Sequence, residues 1–143
     1  MITAILFADI VGYSKLSELQ VLSFVRNFLG AVASLIDARD PAAQPVVKNT
    51  WGDGTRASTV MGLQLVSLIR GLFCAAFYFV FTRIEDAGDF ALEFSKLVMT
   101  TDWRQHGLPD SLSIRISLHA APVFVVTDPS KCCSAACQCR AVI

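Results

Sequence analysis

Ile2-Thr-Ala-Ile-Leu-Phe-Ala-Asp9, followed by Ile10-Val-Gly-Tyr-Ser14, is the stretch on which the reading of this chain turns. Residues 2–8 form an almost unbroken apolar run that ends in an acid. A strand with one wet face would alternate, so the run reads as a central strand covered on both faces. Gly12 then breaks it. Ser17 with Gln20 three residues later has the form of a capping box, which starts a helix near Ser17. Val21, Phe24, Val25, Phe28, Leu29, Val32, Leu35 and Ile36 recur at three- and four-residue spacing. They give that helix one broad apolar face to lay on the sheet.

Beyond the helix, Asp40-Pro41 and Pro45 mark a loop, and Val46 to Trp51 resume strand composition up to Gly52-Asp53-Gly54. Glycine accepts positive φ and Asp bonds back to its own backbone, so the triplet is a turn that expects a partner strand directly after it. The partner, Phe77-Tyr-Phe-Val-Phe81, arrives only after an aliphatic stretch. Residues 55–76 therefore read as an insertion that splits a hairpin.

A second amphipathic helix is expected from Asp86, with Phe90, Ala91, Phe94, Leu97 and Val98 on one side, ending before Gly107-Leu-Pro109. Leu112 to Leu118 alternates strictly, which predicts a strand with its leucines and isoleucines inward and Ser113, Arg115 and Ser117 outward. Val123 to Val126 is a short further strand. The expected architecture is an α+β sandwich, a largely antiparallel sheet with helices on one face. Residues 1–129 form the domain and 130–143 a disordered, Cys-rich tail.

At 143 residues the chain is one domain long. Twelve basic and twelve acidic side chains cancel, so no basic field exists to recruit nucleic acid or anionic lipid. Four of five cysteines (Cys132, Cys133, Cys137, Cys139) crowd the end, without paired Cys-x-x-Cys spacing or a nearby histidine. This argues against a zinc site and a secreted disulfide framework, and a cytoplasmic setting is expected. Thr59 to Phe81 is long and apolar enough to suggest a membrane span, but Arg70 near its middle is costly there.

Asp9 ends a buried strand and Asp53 sits at a turn. If the two strands are neighbours, both carboxylates leave the same edge of the sheet. Two such charges repel unless a cation lies between them, and hard oxygen ligands suit Mg²⁺ or Mn²⁺. Leu6-Phe-Ala-Asp-Ile-Val-Gly-Tyr-Ser14 and Gly52-Asp-Gly54 resemble the two aspartate motifs of class III adenylate/guanylate cyclases. Leu112-Ser-Ile-Arg-Ile-Ser-Leu-His-Ala120 is similar to a further strand of that family, and the resemblance covers residues 2–54 and 77–128.

The resemblance implies a ferredoxin-like cyclase fold, truncated at its C-terminal end. It also implies two-metal conversion of ATP or GTP to a 3′,5′-cyclic nucleotide and pyrophosphate, in a site shared between two chains of a homodimer or heterodimer. By that analogy Asp9 and Asp53 hold two Mg²⁺ or Mn²⁺ ions with help from the Ile10 carbonyl. Val11, Gly12, Tyr13 and Ser14 cradle phosphate oxygens. Asn49 stands where the family usually has a purine-selecting lysine. The alternative is a catalytically inactive remnant that binds nucleotide, metal or a partner chain without turnover; a membrane-associated protein is a third reading. A translated intron would explain residues 55–76: Gly54-Thr55 can be encoded with a splice-donor GT, and Leu72-Phe-Cys-Ala75 with a pyrimidine tract ending in CAG.

Overall fold

The computed structural model describes residues 2–51, 76–122, 124–127 and 139–142. Strand β1 (Ile2–Val11) runs through the middle of the molecule, as its apolar composition requires. Gly12, at φ 93°, turns the chain out of the sheet in a left-handed conformation that costs little only for glycine. A 3-10 turn at Tyr13–Lys15 follows. Ser17 then caps helix α1 (Glu18–Asp37): its hydroxyl accepts from the Gln20 N–H, and the Gln20 amide oxygen accepts from the Ser17 N–H at 2.9 Å. The expected capping box is present.

The middle turn of α1, Phe24–Phe28, is π-helical, with the Leu29 N–H donating to the Phe24 carbonyl. The buried residues of the helix explain it. Val21, Phe24, Phe28, Val32 and Ile36 advance mostly in steps of four, which overshoot a 3.6-residue turn, and one wider turn takes up part of the drift. It also stacks Phe24 on Phe28, with ring centroids 4.5 Å apart.

Strands β2 (Val47–Trp51) and β3 (Ala76–Phe81) pair antiparallel. Helix α2 (Ile84–Thr100) begins two residues before the expected Asp86, and Glu85 and Asp86 lie in its first turn, where carboxylates favour the helix dipole. Arg39, just beyond α1, ties the two helices together. It is ion-paired to Glu93, donates to the Asp86 carbonyl at 3.3 Å, and lies over the Phe90 ring at 5.7 Å. After α2, Trp103 is buried and its indole N–H donates to the Val98 carbonyl at 2.8 Å. Strand β4 (Ser113–Pro122) returns beside β1, and the short strands β5 (Phe124–Thr127) and β6 (Cys139–Val142) pair with each other. Part of the expected disordered tail, Cys139–Val142, is thus strand.

The main sheet has the order β2-β3-β1-β4 and every neighbouring pair is antiparallel. With strand, helix, two strands, helix, strand along the chain, this is an α+β domain with a four-stranded antiparallel sheet. The main core lies between the sheet and the helices. Ala4, Leu6, Ala8 and Ile10 of β1 and Phe77, Phe79 and Phe81 of β3 meet Val21, Phe24, Phe28, Val32 and Ile36 of α1 and Ala87, Phe90, Phe94 and Val98 of α2. The opposite face carries a smaller cluster, Ile5, Val47, Tyr78, Val80 and Ala121.

Two expectations need correction. β1 is buried on its helix face, but on the other face Phe7 and Val11 are partly exposed, so the second cover is incomplete. Leu118 is 51% exposed rather than inward. The inward set is Leu112, just before β4, with Ile114 and Ile116 of the strand itself. Of the apolar stretch 59–81, the last six residues are the whole of β3; residues 59–75 lie outside the described residues. Helix α1 is long and apolar enough to cross a membrane by length and composition, yet its apolar stripe is the one that packs on the sheet.

Candidate functional site

Antiparallel register places four residues in one row across the sheet. Trp51 of β2 is opposite Ala76 of β3, Ala76 is opposite Asp9 of β1, and Asp9 is opposite Arg115 of β4. Residues opposite one another share a face. Period two then puts Thr3, Ile5, Phe7 and Asp9, with Arg115, Ser117 and His119, on the face away from the helices.

Asp9 is partly exposed, and its carboxylate accepts from the Arg115 guanidinium at 2.5 Å. Sequence reasoning placed Arg115 on an outward face but not beside Asp9, because the alternation of one strand says nothing of its register against another. The pairing of β1 with β3 ends at Asp9–Ala76, while its pairing with β4 continues to Ile10–Ile114 and Val11–Ser113. The last two residues of β1 thus pass the end of β3, and Gly12 turns the chain away immediately afterwards.

The other expected site residues fall around this end. The Ile10 side chain is buried in the helix-side core. Val11 and Ser14 are exposed, while Tyr13 packs against the core and meets Phe24 edge-on with centroids 5.0 Å apart. Asn49 lies two residues before Trp51, opposite Tyr78. Asp53 lies outside the described residues. Asp9 is thus the one expected metal-ligating carboxylate among the described residues, and among them no group of three His, Cys, Asp or Glu side chains converges.

Tyr78 is a site feature that pattern reading missed. Its ring is in the smaller cluster, and its buried hydroxyl has no hydrogen-bond partner among the described residues. Burial holds its ionisation above the ordinary tyrosine value, since a phenolate would be charged in an apolar setting. An alternating apolar and aromatic strand gives no signal for an orphaned hydroxyl; only the packing around its tip does. Comparison with known proteins adds no relative: no family model, no curated protein and no solved structure matches the chain.

Proposed function

We propose that this chain is a nucleotidyl cyclase-type domain of class III, turning a nucleoside triphosphate into a 3′,5′-cyclic nucleotide and pyrophosphate. The observation that carries the reading is the row Trp51–Ala76–Asp9–Arg115. It brings the end of the Asp9 strand and the end of the strand leading to Gly52-Asp53-Gly54 to one edge of one sheet. The β-α-β-β-α-β order with sheet order β2-β3-β1-β4 further supports a ferredoxin-like cyclase fold.

On this reading Asp9 and Asp53 would hold Mg²⁺ or Mn²⁺, with the Ile10 carbonyl as a further ligand. Held there, such ions would supply charge stabilisation at the triphosphate and activation of the ribose 3′-hydroxyl. The turn Val11–Ser14 lies against the triphosphate, and Asn49 meets the purine edge. Arg115 acts as the counter-charge of Asp9, so it competes with a cation for the same carboxylate. Two chains would contribute to a complete site, in a homodimer or a heterodimer with another cyclase domain.

A second reading is a module that binds nucleotide, metal or a partner chain without turnover; the Arg115 guanidinium already held by Asp9 weighs against two-cation catalysis there. The two part in one experiment. Purified chain and its Asp9→Asn variant are titrated with Mn²⁺ and then given ATP or GTP. Cyclic product lost in the variant supports the enzyme. Mn²⁺ binding lost in the variant, with no product from either, supports the binding module. Absence of Mn²⁺ and nucleotide binding in the wild type overturns the enzyme and the metal- or nucleotide-binding module.

A further inference from the structure

We infer that β2 and β3 do not need residues 55–75 in order to pair, and that a chain without residues 55–76 closes β2 onto β3 through a two-residue turn, Gly52-Asp53, with Gly54 in the place of Ala76. The inference rests on strand register. Trp51 is opposite Ala76, and from that pair the ladder runs without a break through Thr50–Phe77, Asn49–Tyr78 and Lys48–Phe79 to Val47–Val80. The two ends of the long connection are thus already face to face.

A hairpin that keeps this register needs a residue in the place of Ala76. The shortest common connection between antiparallel strands has two residues. If Gly52 and Asp53 are those two, the residue that follows, Gly54, must stand directly before Phe77. That condition removes residues 55–76 and no others. Gly54 then takes the position of Ala76, opposite both Trp51 and Asp9. The substitution removes only a methyl group at the strand end. Glycine first in the pair is the residue a type II′ turn requires, and that turn matches the twist of the flanking strands.

Face assignment is conserved as well. Phe77, Phe79 and Phe81 stay on the helix side, where all three are buried in the main core, and Tyr78 and Val80 stay on the other. A one-residue slip would exchange the two sets. An arbitrary cut has no reason to leave a turn of favoured length and composition, with every pair of the ladder retained.

Two variants of the whole chain test the inference without metal or nucleotide, so the cation reading can fail while this one stands. The first lacks residues 55–76. Shortening a closed loop lowers its entropy cost, so its Tm is expected to rise by roughly 5 to 10 °C, with slow amide exchange retained along β2 and β3. The second replaces residues 55–75 with a Gly/Ser sequence of equal length, and its Tm is expected to stay within a few degrees of the parent. A fall in Tm of the deletion variant, or loss of exchange protection in β3, overturns the two-residue turn. A large fall in the Gly/Ser variant overturns the claim that β2 and β3 do not need residues 55–75 in order to pair.

Discussion

The two faces of the sheet are built to different rules. Toward the helices, β1 and β3 present Ala4, Leu6, Ala8, Ile10, Phe77, Phe79 and Phe81, and the aromatic rings of both helices close over them. Phe77 meets Phe94 edge-on at 5.5 Å, Phe79 meets Phe90 edge-on at 5.2 Å, and Phe28 reaches Trp103 at 4.9 Å. Away from the helices, the same strands carry a five-residue cluster, an orphaned tyrosine hydroxyl, and the ion pair of Asp9 with Arg115. Stability is concentrated on the first face. The second holds the groups whose chemistry packing does not explain.

The comparison predicts a graded set of outcomes. Phe94→Ala empties the centre of the aromatic layer and is expected to cost about 3–5 kcal/mol in denaturant unfolding. A loss under about 1 kcal/mol would mean that the helix face does not dominate stability. Trp103→Phe keeps much of the ring volume but strands the Val98 carbonyl, so a loss of about 1–2 kcal/mol is expected.

On the open face the sign reverses. Tyr78→Phe removes a buried hydroxyl that has no partner among the described residues, and stability at neutral pH should stay level or rise by up to about 1 kcal/mol. The pH dependence sharpens this. The folded-state ionisation of Tyr78 is raised above the value of 10.0 it has when unfolded. Its contribution is therefore complete below pH 10 and is lost as the pH climbs through and beyond that value. Alkaline unfolding of Tyr78→Phe should begin at higher pH than that of the parent, and coincident curves would contradict the burial.

Arg115→Ala is the smallest change. The pair is largely exposed, so unfolding should shift by less than about 1 kcal/mol. If Asp9 binds a cation, the same variant should bind Mn²⁺ up to about fivefold more tightly, because its competitor is gone. Weaker binding would show instead that Arg115 supports the site.

Much of the scaffold could be read from local pattern. The apolar run to Asp9 marked the central strand, Ser17 and Gln20 marked the start of α1, and Phe77 to Phe81 marked the displaced partner of β2. Each depends on a periodicity or cap that spans a few residues. The π turn at Phe24–Phe28 and the exposure of Leu118 were not legible, since each depends on what packs against the element. The site was half legible: Asp9 stood out as an acid closing an apolar run, and alternation turned Arg115 outward, but nothing local placed Arg115 opposite Asp9.

The sequence by itself determined the strands and helices of the main sheet and its cover, and the apolar side of most of them. These follow from side-chain spacing and turn chemistry, which act over short stretches of chain. Only the tertiary structure decided that Trp51, Ala76, Asp9 and Arg115 form one row. Register between strands far apart in sequence is chosen by the joint burial of whole faces, and no single strand contains that information.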